Sequence, residues 1–194
     1  GIVRILVSPA FLILNSEDRT ASERFASKLS YFLQSTLPEE GIRQAVQSGG
    51  LSSFEDVRDA VQVLVAENEV EPFLEMFPYS WLELKDINFM APDPDRYEFY
   101  HRKRLSDDMI NEVRYFFRHV VENNLPVSEL ISADYSFINA DLAEVYQAKG
   151  VPQDSKFRKY TFKDGRRGGF LGMGAFLTST ADSLSTSPIH RGVY

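Results

Sequence analysis

The chain has 194 residues, of which 43% are hydrophobic and 25% charged, with a formal net charge of -7 and no cysteine. This length suits one large domain, or one domain plus a smaller extension, and can bury a core without covalent staples. The missing cysteine excludes disulfides, thiolate nucleophiles, iron–sulfur ligation and thioether haem attachment within the chain, and the acidic balance argues against general nucleic-acid binding.

Taken in chain order, most segments read as helices. In the opening "GIVRILVSPAFLIL", Ile2, Ile5 and Leu6 share one helical face, and Phe11, Leu12 and Ile13 extend the apolar run past Pro9. The stretch lacks a cleavage-type ending and an initiator Met, so it reads as part of something longer rather than as a signal sequence. No apolar run reaches membrane-spanning length. "TASE" at Thr20–Glu23 is a capping-box pattern, followed by a stripe of Phe25, Leu29, Phe32 and Leu33. "LPEEGIRQAVQSGG" predicts a short helix stopped at Gly49-Gly50. Ser52 and Glu55 offer a second capping box, ahead of Phe54, Val57, Val61, Leu64 and Val65 at helical spacing.

"VEPFLEMFPYSWLELKDI" predicts an aromatic helix broken at Pro78, and "APDPDRYEFY" a turn. Ser106 is the expected N-cap of a long helix with Asp107 and Asp108 in its first turn and Ile110, Val113, Phe117 and Val120 along one face. Asn139 is the expected N-cap of a shorter helix closed by Gly150, and "KFRKYTF" alternates as a short strand would. Another helix is expected to start near Gly168. The pattern as a whole predicts an all-α fold, an irregular multi-helix domain with at most a short strand or hairpin near residues 156–163.

Charge is uneven along the chain. Residues 53–98 hold 12 Asp/Glu against 3 Lys/Arg, whereas residues 149–168 hold 7 Lys/Arg against 2 Asp. The two blocks could face each other within the fold, or orient a partner.

The stretch with the most distinctive chemistry is "DGRRGGFLGMGAFLTST", Asp164–Thr180. Glycines allow backbone N–H groups to approach an anion, and Arg166 and Arg167 could grip a carboxylate or phosphate in bidentate fashion. Dinucleotide spacing is not met, because Leu177 stands where the last glycine belongs, and no phosphate-loop Lys-Ser/Thr pair follows. Small residues at Gly168, Gly169, Gly172 and Ala175 fit close packing equally well, with the arginines as an internal clamp. Arg191 adds a further cation near the C-terminal end.

Other candidates have plain alternatives. Asp134 and Tyr135 stand side by side and could relay a proton, or could hold a turn and fill the core. His190 could act as a base or haem ligand, but no partner stands near it in sequence. His101 and His119 share no metal-ligand spacing with it or with each other. Asp93 and Asp95 lack the glycine and terminal glutamate of a calcium loop, so a turn is the better reading. No serine-hydrolase elbow is present.

"ASKLSYFLQSTLPEE", "ISADYSFINADLAEVY", "DGRRGGFLGMGAFLTST" and "STSPIHRG" together resemble a tandem pair of uncharacterised domains. These occur in large exported planctomycete-type proteins that often also carry cytochrome c domains. The family-like residues are Asp134, Tyr135, Asn139, Arg166, Arg167, Gly168, Gly169, Thr186, Ser187, Pro188, Arg191 and Gly192. The resemblance implies a first domain over residues 1–160, with 161–194 as the truncated start of a C-terminal neighbour packed on it. It implies a periplasmic or cell-surface location. It also implies a helical scaffold or docking role in a cytochrome-linked redox protein. Partners would be other domains of the parent, among them a cytochrome c domain, with polysaccharide as a further candidate. No cofactor is expected within this chain, and any haem would belong to other domains of the parent. The alternative is an enzyme or binding domain acting on a carbohydrate or other anionic substrate through the Arg/Gly-rich stretch, with Asp134, Tyr135 or His190 as acid–base groups.

Overall fold

The first helix, α1 (Ala21–Gln34), starts where Thr20 and Glu23 cap each other's backbone N–H groups, the capping box expected from "TASE". The structure is a computed structural model that describes residues 20–47, 51–163, 165, 167–182 and 184–192, with the backbone alone for His190. The opening helix, the Gly49-Gly50 stop, Asp164, Arg166 and the His190 side chain therefore lie outside the described residues. The chain divides into two compact units, Gly1–Phe73 and Leu74–Tyr194.

In the first unit, α1 is followed by α2 (Glu40–Gln47) and α3 (Phe54–Ala66). The buried face of α1 consists of Ala26, Ser27, Ser30, Leu33 and Gln34, whereas Phe25 and Phe32 of the expected stripe are largely exposed. Small residues allow close approach on that side. Ser30 donates to Gln34, and Gln34 donates to Glu69, so the buried polar atoms are paired. Phe32 packs its ring 5.0 Å from Phe73 instead. The second capping box sits one residue later than expected, with Ser53 capping Asp56, and of the α3 stripe only Leu64 is buried.

α4 (Glu71–Trp81) runs through Pro78 without breaking, contrary to the sequence expectation. Pro78 lies fully buried, and the Leu82 N–H picks up the Pro78 carbonyl, so the helix continues past the ring.

The second unit is organised around α6 (Leu105–Glu122), reached through a single 3-10 turn at Leu84–Asp86 and the short α5 (Glu98–Arg102). The intervening "PDPD" stretch is the expected turn, with Asp93 Oδ1 accepting from the N–H groups of Asp95 and Arg96. α6 starts at Leu105, with Arg104 in the left-handed region as the capping position (φ 53°). Ser106 lies inside the helix and is buried, so it is not the N-cap. Burial of Leu105 draws the first turn inward. The core-facing residues are Leu105, Ser106, Met109, Glu112, Val113, Phe116, Phe117 and Val120, and Ile110 is only half-buried. Phe116 is fully buried, which contributes about 1.5–3 kcal/mol relative to an exposed ring.

Beyond α6 come α7 (Glu129–Ser132), β1 (Tyr135–Ile138), α8 (Ala140–Tyr146) and β2 (Arg158–Thr161). The strands pair antiparallel, with Tyr135 opposite Thr161 and Ile138 opposite Arg158. The fold is thus all-α with one short hairpin. β2 is the strand read from "KFRKYTF", while β1 had looked like the run-up to a helix. Asn139 caps α8 as expected, accepting from Leu142 N at 3.0 Å. That helix ends at Tyr146 with Gln147 in the left-handed region, before Gly150 is reached.

A 3-10 turn at Phe170–Gly172 leads into α9 (Gly174–Ser179), so the helix expected near Gly168 starts later. α10 (Pro188–Arg191) follows. Phe170 packs against Phe116, Phe117 and Trp81 at ring distances of 5.4, 6.3 and 5.8 Å. Of the two charge blocks, Glu75 pairs with Arg114 on α6, and Asp154 pairs with Arg158 inside the basic block itself. Among the described residues no helix is long and apolar enough to cross a membrane.

Candidate functional site

Residues 109, 112, 113, 116 and 120 of α6 fall on one face because they follow three- and four-residue spacing. Glu112 occupies that face, 1% exposed among apolar neighbours. An acid there requires partners, since an unpaired buried charge costs several kcal/mol. Two are present. Ser136 on β1 donates to Oε1 at 2.6 Å, and Tyr146 at the end of α8 donates to Oε2 at 2.5 Å. The Tyr146 oxygen in turn accepts from Gly174 N at 2.8 Å, at the start of α9.

Arg167 completes the arrangement. Its guanidinium lies 3.9 Å over the Tyr146 ring, and Nη1 donates to the Gly172 carbonyl at 3.0 Å. A flat, delocalised cation over an aromatic face is a favourable contact that also fixes the direction of its N–H groups. The network therefore joins α6, β1, α8, α9 and the loop after β2.

The electrostatics follow from the burial. Removal from water pushes the Glu112 pKa up to about 7, opposed by the hydrogen bonds from Ser136 and Tyr146 and by the nearby Arg167 charge. Burial, and then the adjacent Glu112, drive the Tyr146 phenol well above its ordinary value, so it stays protonated and donates.

Gly168, Gly169 and Gly174 of the Arg/Gly stretch serve close packing. Gly169 has φ +54°, and a Cβ there would lie 2.5 Å from the carbonyl oxygens of both Leu130 and Ile131. Gly168 is pressed against the Ala133 carbonyl in the same way, and Gly169 N donates to that carbonyl at 3.0 Å. A Cβ on Gly174 would meet the Tyr146 hydroxyl at 2.7 Å.

The other residues singled out from sequence lie apart from this network. Asp134 is exposed at the foot of the hairpin, where its carbonyl accepts from Phe162 N at 2.7 Å. Tyr135 is buried against Phe116 and His119, with Lys159 Nζ 3.7 Å over its ring. Burial, with the Glu129 carboxylate nearby, raises its phenol to about 12. Arg191 donates to Thr180 Oγ1 and to the Leu177 carbonyl, both at 3.3 Å, tying α10 to the end of α9. Among the described residues no group of three His, Asp or Glu side chains is placed to hold a metal.

A family model described as PSD4, protein of unknown function (DUF1592), matches residues 21–148. The chain belongs to this family. No curated protein and no solved structure matches it. The matched span of the DUF1592 domain contains Glu112, Ser136 and Tyr146, whereas Arg167 and Gly174 lie beyond it.

Sequence reasoning singled out Arg167 but missed the acid it serves. The available signal was Glu112 itself, a charged residue three positions after Met109 and four before Phe116. Drawing the α6 stripe through Ile110 instead of Met109 concealed it.

Proposed function

We propose that this chain is a helical scaffold or docking module of a larger, exported, cytochrome-linked redox protein, with no chemistry of its own established. The observation that carries the scaffold reading is the internal use of Arg167, which is stacked on Tyr146, bonded to the Gly172 carbonyl and close to buried Glu112. An arginine used in this way fastens secondary-structure elements to one another. The segment from residue 161 onward is read as the opening of the next domain, and the packing of Phe170 on Phe116 and Trp81 supports its docking on what precedes it.

Export to the periplasm or cell surface, and the cytochrome link, rest on the resemblance of the four quoted blocks to exported multidomain proteins. Haem would be held by other domains of the parent, because a chain without cysteine has no Cys-x-x-Cys-His. The partners would be those domains, with polysaccharide as a further candidate.

Two measurements test the reading. Arg167→Ala should lower the melting temperature of the isolated chain clearly. An unchanged melting temperature would remove the fastener. Haem analysis of the full-length parent and of this chain should find covalent haem in the parent alone. A haem-free parent would end the cytochrome link.

A further inference from the structure

Beside the fastener lies a pocket of about 370 Å³, lined by Tyr146, Phe162, Arg167 and Gly172 and by the side chains of Val145 and Leu171. That volume is within the range of roughly 300–1,000 Å³ common to small-molecule sites. We propose that this pocket binds a small, singly charged, hydroxylated carboxylate, gripped by the free edge of Arg167.

The argument starts from the arginine's donors. A guanidinium carries five N–H groups. Among the described residues, one of them is spent, on the Gly172 carbonyl. The Tyr146 ring covers one side of the guanidinium, and its remaining N–H groups can pair with the two oxygens of a carboxylate. The stack holds the guanidinium in place before any ligand arrives, so little rotamer entropy is lost on binding.

Charge selects among anions. Arg167 is the one cation among the described residues that line the pocket, and the Glu112 carboxyl lies close enough to feel its field. One positive group beside an acid suits a monoanion and disfavours a doubly charged phosphate. The body of the ligand follows from the walls. Val145, Leu171 and Leu177 offer C–H surface, while the Gln147 amide and the Gly172 carbonyl can meet hydroxyls. A sugar acid or comparable hydroxy acid has both kinds of surface.

D-glucuronate and D-glucose differ at one carbon, carboxylate against hydroxymethyl, and form the matched probe pair. Titration calorimetry and thermal shift should show saturable binding of glucuronate to the intact chain, with no response to glucose or inorganic phosphate at equal concentration. Val145→Trp fills the pocket from its wall and leaves the residues Arg167, Tyr146 and Glu112 themselves unaltered. It should abolish the glucuronate response while the free chain still unfolds in one cooperative transition. The proposal is overturned if glucuronate does not bind, if glucose or phosphate binds equally well, or if Val145→Trp binds glucuronate as before. None of these outcomes depends on the scaffold reading, which is tested by the stability of Arg167→Ala.

Discussion

Tyr146 donates its hydroxyl proton to Glu112 across 2.5 Å while accepting from Gly174 N on its other side. One phenol oxygen thus connects a buried acid on α6 to the first backbone N–H of α9. The contact has measurable consequences for stability and for its dependence on pH.

The folded-state pKa of Glu112 is raised from 4.5 to about 7, mainly by burial. The folded chain therefore holds this proton more tightly than the unfolded chain. The resulting stability is complete below the unfolded pKa and is lost as pH rises through about 7. The loss amounts to about 3 kcal/mol between the two limits, from ~1.4 kcal/mol per pKa unit. Urea denaturation from pH 5 to pH 8 should show this decline. Glu112→Gln, which cannot ionise, should flatten it, and an equally steep decline in that variant would assign the effect to other groups.

Tyr146→Phe keeps the ring under Arg167 but removes the bridging oxygen. Gly174 N–H is then left without its acceptor and Glu112 with one donor fewer. The expected cost is about 1–3 kcal/mol. Because the Tyr146 bond holds the Glu112 pKa down, its loss should move the Glu112 titration to higher pH. Carboxyl-carbon NMR of labelled Glu112 in the two proteins measures the shift.

Gly169 and Gly165 both have positive φ, +54° and +64°, but only Gly169 meets backbone oxygens at 2.5 Å. Gly165→Ala should cost about 1–2 kcal/mol from the left-handed conformation alone. Gly169→Ala should cost clearly more, because α7 must also move away. Equal midpoints in chemical denaturation would mean that the loop can relax away from Leu130 and Ile131.

Asn139 is 2% exposed and caps the helix that delivers Tyr146. Asn139→Ala should cost about 1 kcal/mol. Hydrogen exchange should quicken first at the α8 amides near Leu142, whose N–H loses its acceptor. Protection unchanged along α8 would show that tertiary packing alone holds the helix.

Much of the fold was legible along the chain because its signals are local. Thr20 and Glu23, or Asn139 and Leu142, are three residues apart, and their capping bonds form in almost any context. The turn at Asp93 and the alternation of Arg158–Thr161 are equally local. Where expectation and structure differ, burial overrode the local preference. Ser106 lost the cap to the inward pull of Leu105, and Pro78 stayed helical in a buried setting. β1 went unread because a four-residue strand is specified mainly by its partner, which starts more than twenty residues later.

By itself, the sequence determined the helical class, the caps and the prominence of an arginine among glycines. Those properties depend on residues within a turn or two of one another. Only the tertiary structure decided what that arginine is for. Glu112, Ser136, Tyr146 and Gly174 are spread over more than sixty positions, and a buried carboxyl recruits its partners by proximity in space, to which spacing along the chain is no guide.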